Sequence, residues 1–387
     1  MFKVIVVLMG ILVASGVISQ IPKSEFTAQA AQCETRGVWL NPYSFKAPET
    51  RQQTLDKIIK ANLNTVFLAS YTLSGNFGWS DKESFDAMLA ALKSKGLSVH
   101  VWLSSMSRKG AGTQAEYTDV SEQEAQKNWC MDWLSSYPTL DGVHFDNLRY
   151  LVEVAEISKQ RNIGVFRTIK ACYDAVKMKY PTKFVTAFIN NTDPFSVHKD
   201  DYLARWYKNW LSKNPTNSLQ YNGTQYRPQN LRYDPMKWIR RGIIDAVTPG
   251  RYTTDVAAWK KRLPLWKSFL TTEENFSKVI FGISWYPTEG EISYPDGKVY
   301  QWGGYNAQSA VRQIKYARKE GMRGFSIFEF GRKVGQDDGP FIDALTIDSA
   351  INDFDAPFET KQKSCLNSSS QEAVFSPPLD SYLSDEE

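Results

Sequence analysis

Eight short runs rich in β-branched and aromatic residues recur along the chain, and the stretches between them carry apolar residues at helical spacing. The runs fall at 37–40, 65–69, 98–103, 142–145, 184–189, 244–248, 278–284 and 324–328. The first intervening stretch, 51–61, puts Leu55, Ile58 and Ile59 on one face, and the second, 84–95, stops at Gly96. The third, 121–136, opens with Ser121 and Glu124 at capping-box spacing, and further helices are predicted over 165–180, 235–241, 256–270 and 307–320, the last stopped by Gly321. Strands that alternate with helices pair in parallel, and eight such units with no helix-free half predict an α/β fold, a single-domain (β/α)8 TIM barrel. Two interruptions stand out. A long insertion at 190–234, with a Trp/Tyr-rich helix over 201–211, follows the fifth strand, and a Gly-, Tyr- and Trp-rich loop at 285–305 follows the seventh.

The ends of the chain read differently. Lys3 precedes an apolar run over 4–17, and Ala28, Ala30 and Ala31 offer small residues for cleavage, so 1–31 is expected to be a signal peptide with a short lead. The run is too short to favour a spanning anchor, and no later stretch is long enough, so a secreted protein without a membrane partner after cleavage is expected. The barrel is expected over 34–355. The polar, Ser/Pro-rich residues 356–387 read as an unstructured tail.

Four cysteines lie beyond the leader. Cys33 precedes the first strand and Cys365 follows the last helix, where a closed barrel brings its termini together, and Cys130 and Cys172 fall in consecutive helices of the outer ring. The expected disulfides are therefore Cys33 with Cys365 and Cys130 with Cys172, which suits an oxidising compartment. Sequons begin at Asn190, Asn222, Asn275 and Asn367, which makes a glycoprotein where the host glycosylates.

In a barrel of this type the reactive groups lie where strands end and βα loops begin. On the fourth strand, period-two alternation sets His144 and Asp146 on one side, with Asp146 at the mouth, His144 one layer below, and Arg149 and Tyr150 opening the loop. Glu329 ends the eighth strand at the same rim, as a second catalytic carboxylate or as an ion-pair partner of Arg332 or Arg251. Asp193 is a weaker acid/base candidate. Arg251 and Tyr252 follow the sixth strand, and Trp39, Trp102 and Trp285 close theirs; with His144, Arg149 and Tyr150 these are the expected substrate-binding residues, and with Tyr71, Trp79, Tyr286 and Trp302 of adjoining loops the rings form a candidate sugar-binding platform, several of them expected to be core. Asp141 and Asp245 precede their strands, at the opposite end, and read as structural.

Twelve Trp, nineteen Tyr and twenty-one Phe admit two readings, a core of large residues or a groove whose flat faces suit sugar rings. With 46 basic and 42 acidic residues the net charge is +4 without a run of one sign, which points away from nucleic acid. The three histidines (100, 144 and 198) form no metal-ligand motif, and neither Gly-x-Ser-x-Gly nor a phosphate loop occurs, so no metal or cofactor is expected. What remains at the rim is carboxylate and aromatic, the inventory of glycoside cleavage.

Several segments resemble the glycosyl-hydrolase-like family 10, a group of secreted (β/α)8 barrels. They are Arg36-Gly-Val-Trp-Leu40, Asn64-Thr-Val-Phe-Leu68, Gly96-Leu-Ser-Val-His-Val-Trp102, Asp141-Gly-Val-His-Phe-Asp146 with Arg149-Tyr150, and Trp238-Ile-Arg-Arg-Gly-Ile-Ile-Asp245 followed by Pro249 and Tyr252. The resemblance implies a glycosidase with a carbohydrate substrate and Asp146 as its catalytic carboxylate. The chain departs from it at Asn147, where the family often has Asp or Tyr, and at Gly250, where it often has Met. The competing expectation is a catalytically inactive, lectin-like or matrix barrel that binds carbohydrate only; a structural protein that binds other proteins is the third.

Overall fold

The computed structural model describes residues 33–110, 115–146, 148, 159–189, 220–221, 224–225, 235–250, 260, 263, 266–267, 270, 272–284, 290–293, 299–302, 307–322, 324–330, 339–346 and 364–366. Eight parallel strands form the expected (β/α)8 barrel: β1 Thr35–Leu40, β2 Thr65–Ala69, β3 Ser98–Ser104, β4 Gly142–Asp146, β5 Phe184–Ile189, β6 Ala246–Pro249, β7 Phe281–Ser284 and β8 Gly324–Phe330. Each pairs with its neighbours in chain order, β8 returns to β1, and bridges from Val247 to Val279 and from Gly250 to Gly282 close β6 against β7.

The helices are α1 Pro48–Lys60, α2 Lys82–Ser94, α3 Val120–Ser136, α4 Lys159–Lys179, α5 Pro235–Arg240, α6 Glu273–Ser277, α7 Ala307–Lys319 and α8 Gly339–Ala344. The start of α3 differs from the expected capping box. Asp119 is its N-cap, accepting from Ser121 N, because the acid lies one residue ahead of the first helical turn. Strands β6 and β7 begin later than the apolar runs predict: Ile243 N–H bonds to Trp238 O to end α5, and Val279 N–H bonds to Phe276 O to end α6. Ile244 and Ile280 are buried there, and Val279 pairs with Val247 as a single bridge ahead of β7. Short antiparallel ladders join Gln220–Tyr221 to Thr224–Gln225 and Gly290–Ser293 to Val299–Trp302, inside the two long interruptions. No described helix is long and apolar enough to cross a membrane.

Two packing devices fix the barrel. Its interior carries large rings on some strands and glycine on others, as close packing requires. A Cβ on Gly142 would stand 2.2 Å from Phe184 O and 2.8 Å from His100 Nδ1, so glycine lets the imidazole lie against β4. At the N-terminal end, the residue just before each of β2, β4 and β6 caps the neighbouring strand. Asn64 Oδ1 accepts from Arg36 N (2.8 Å), Asp141 Oδ2 from Val99 N (2.8 Å) and Asp245 Oδ2 from Val185 N (2.7 Å). Lys93 and Lys177 pair with the two aspartates, at 2.7 and 2.9 Å.

One disulfide joins Cys130 in α3 to Cys172 in α4, and the other joins Cys33 to Cys365. The second holds a stretch that composition alone reads as unstructured. Residues 364–366 lie beneath the barrel, with Ser364 Oγ 2.5 Å from Thr65 Oγ1 and Leu366 O accepting from Ser98 Oγ (2.6 Å). Ser364 and Leu366 are buried, so part of the tail forms the floor of the barrel.

Candidate active site at the barrel mouth

Asp146 is the last residue of β4, level with Ser104 of β3, at the C-terminal end of the barrel. It is buried, and Trp102 Nε1–H donates to its Oδ2 at 3.2 Å. The indole is itself held: its ring lies 4.7 Å from Trp79 and 6.2 Å from Phe328, centroid to centroid. A cavity of about 540 Å³ opens beside this stack, lined by Trp79, Trp102 and Phe328 below and by Asn41, Tyr43 and Lys46 after β1. Asp81, the N-cap of α2, forms part of its wall.

The loops that carry these residues are anchored from behind. Trp79 N–H bonds to Ser70 O and Phe77 N–H to Arg108 O, which ties the segment after β2 to the turn after β3. Arg108 makes two hydrogen bonds to the buried Glu122 carboxylate, at 2.8 and 2.7 Å, and a third to Asn76 Oδ1. A bidentate pair of this kind fixes orientation as well as distance.

The sequence reading and the structure differ on which rings meet a ligand. Trp39 and His144 are 1% and 0% exposed, and they form an internal layer beneath Asp146 rather than a wall of the mouth. Phe67 stacks on His144 at 4.0 Å, and Trp39 meets both it and Phe188. Alternation along a strand identifies the inward face but not the depth at which a side chain stands. His144 Nδ1 lies 2.8 Å from Thr186 Oγ1, and burial holds its pKa well below the ordinary imidazole value, with His100 adding to the effect. A neutral ring follows. Tyr71 also belongs to the core, packed on Phe85 and Trp133.

Glu329 lies in β8 next to a register shift. Val38 pairs with Ile327 and Leu40 with Phe330, so β8 carries one more residue than β1 opposite Trp39. Bulges of this type concentrate beside active sites. Its side chain, and Arg149, Tyr150, Asp193, Arg251, Tyr252, Trp285 and Tyr286, lie outside the described residues, as does the side chain of Trp302. Among the described residues no group of His, Cys, Asp and Glu is placed to hold a metal ion. Asn41, Tyr43 and Lys46 escaped the sequence reading. Their signal is Asn41-Pro42 directly after β1, a capped turn with proline at its first position.

No protein-family model matches the chain, and no curated protein matches it either. Solved structures do. Catalytic domain 2 of the group II chitinase of Ostrinia furnacalis, solved with a chito-oligosaccharide, superposes with a TM-score of 0.53 at 12% identity, over 84% of this chain and 98% of that one. A chitinase of Chromobacterium violaceum gives 0.52 at 13% identity, over 81% and 98%. One of Rhizomucor miehei gives 0.50 at 14%, over 81% and 99%. At such identities the likeness is one of fold.

Proposed function

We propose that this chain is a secreted glycoside hydrolase acting on a polysaccharide or glycan, with Asp146 as a catalytic carboxylate. The observation that carries the reading is the position of Asp146: buried at the C-terminal end of β4, held by Trp102, beside an aromatic-floored cavity. That end of a (β/α)8 barrel is where active sites are built. The segment Asp141-Gly-Val-His-Phe-Asp146, which resembles the glycosyl-hydrolase-like family 10, and a fold shared with chitinases support the same chemistry.

Cleavage of a glycoside needs one carboxyl to protonate the departing oxygen and a second to attack the anomeric carbon or to deprotonate the attacking water. Asp146 takes one of these places and Glu329, the residue after Phe328 of the cavity lining and within the β8 register shift, the other's strand position. Arg149, Tyr150, Arg251, Tyr252 and Trp285 supply further glycan contacts from the loops after β4, β6 and β7. Secretion accords with two disulfides and with the apolar leader.

A second reading, a barrel that retains glycan without cleaving it, has one observation in its favour. The chain departs from the family it resembles directly after Asp146, with Asn147 where Asp or Tyr is frequent. Asp146→Asn separates the two. Hydrolysis of a cleaved oligosaccharide falls about 10³-fold in kcat while retention of the same sugar persists. Unchanged turnover removes Asp146 from the mechanism, and an absence of turnover by the unaltered protein across a broad glycan panel, with retention intact, selects the binding barrel.

A further inference from the structure

The cavity beside Asp146 has polar groups whose arrangement specifies more than an apolar hollow. Asn41 is 8% exposed and lines the cavity. Its Oδ1 accepts from Tyr43 N–H at 3.0 Å, and this bond fixes the amide so that Oδ1 faces the turn. The Nδ2 group has no acceptor among the described residues. This amide donor is not shut away from solvent, and on a cavity wall it can pair with an oxygen supplied from outside.

The charges on the wall then select the class of ligand. Lys46 and Asp81 both line the cavity, and each lies within electrostatic reach of the other. Their charges cancel, and the Asp81 carboxylate is already engaged by the backbone N–H and hydroxyl of Ser84. Nothing there rewards a charged guest. The floor, in contrast, presents the half-buried Trp79, backed by Trp102. Flat aromatic surface suits the C–H face of a sugar ring.

We infer that this cavity is a subsite for a neutral pyranose residue, stacked on Trp79 and donating no charge, with one of its oxygens accepting from Asn41 Nδ2. Trp102 separates the subsite from the reacting carboxylate and touches both: its ring faces the cavity, and its N–H holds Asp146. The subsite and Asp146 therefore lie one side chain apart. The inference rests on the carbohydrate reading above, and its test is arranged so that the two fail separately.

The test is retention on immobilised oligosaccharides, neutral and uronic-acid, chito-oligosaccharides among them, by the full chain and by Asn41→Asp, Trp79→Ala, Trp79→Phe and Lys46→Ala. Asn41→Asp keeps an oxygen for Tyr43 N–H, so the turn folds, which a melting curve verifies; it replaces the donor by an acceptor. Neutral oligosaccharides are expected to bind about tenfold more weakly to Asn41→Asp and to Trp79→Ala, with Trp79→Phe recovering part of the loss. Retention by both variants equal to that of the unaltered chain overturns the subsite and leaves the carbohydrate reading standing. Preferential retention of uronic-acid sugars that disappears in Lys46→Ala overturns the neutral class. If the unaltered chain retains no sugar at all, the carbohydrate reading falls and the subsite falls with it.

Discussion

Asp141 and Asp146 sit five positions apart, one just before β4 and the other at its end, buried at opposite ends of the same barrel, and their surroundings differ in kind. Asp141 Oδ2 accepts from Val99 N–H and pairs with Lys93, and His100 lies close enough to feel its charge. Burial pushes its carboxyl pKa up, but His100, Lys93 and the Val99 N–H together hold it below the ordinary aspartate value. Asp146 meets the indole N–H of Trp102, a residue that lines the cavity. The floor is thus closed by groups that satisfy one another, whereas the mouth presents groups poised toward something external. In a (β/α)8 barrel the first arrangement serves stability and the second serves chemistry.

The sharpest way to break that division is to open the floor. The Cys33–Cys365 bond links residues 332 apart and carries residues 364–366 with it. Replacing both cysteines by serine releases a loop of nearly the whole barrel into the unfolded ensemble, which costs about 6 kcal/mol. For a barrel of this length that corresponds to a fall of roughly 9 °C in Tm, read by calorimetry. Below the new transition the mouth keeps its glycan retention. An unchanged Tm means that the floor is held by packing alone; loss of retention in a fully folded variant means that the two ends are coupled.

Acid tests the same floor by a different route. His100 is fully buried, and its Nε2 lies 3.0 Å from Leu366 O. Burial pushes its pKa from 6.5 to about 4, against the pull of Asp141 and the Leu366 carbonyl and with minor help from Lys93 and Lys183. The folded state therefore binds fewer protons than the unfolded state between these values. The stabilisation is full above about pH 6.5 and is lost as pH falls toward about 4, amounting to about 3 kcal/mol. His144, depressed in the same direction by its own burial, adds to the slope. Urea midpoints measured across that window are expected to fall with acidification, and the fall is expected to shrink in His100→Gln, which keeps a donor for Leu366 O. Equal slopes in both proteins would assign the acid sensitivity elsewhere.

The two ends were unequally legible in the sequence. Asp146 was accessible because strand ends and period-two alternation are local properties, and so was the structural reading of Asp141 and Asp245, which precede their strands. Asn64, which does the same work ahead of β2, carries no charge to draw attention. The interior was less accessible. His144, two residues back on its strand, was legible as the layer beneath Asp146, whereas the depth of Trp39 depends on how eight strands stagger, which no single strand encodes. The floor was least accessible of all: residues 364–366 have no periodicity of their own and owe their place to a disulfide and to polar groups contributed by β2 and β3.

Asn64 also sets the expected size of the smallest effect. Asp141→Asn turns the floor's carboxylate into the residue that already caps β1 two strands away, where an amide oxygen accepts from Arg36 N–H at the same 2.8 Å. The cap on Val99 should survive, so what disappears is the charge: the pairing with Lys93, whose side chain is 27% exposed, and the field that favours a proton on His100. Breaking a fully buried ion pair costs about 3–5 kcal/mol, and the solvent around Lys93 reduces this to about 2. The unfolding midpoint in urea is expected to drop accordingly, with glycan retention at the mouth unaltered once folded. Asp146→Asn should give the mirror result, turnover lost with a smaller fall of the midpoint than in Asp141→Asn, since the amide keeps an oxygen for the Trp102 N–H. A pair of variants that lose stability equally would mean that Asp146, like Asp141, is part of the scaffold.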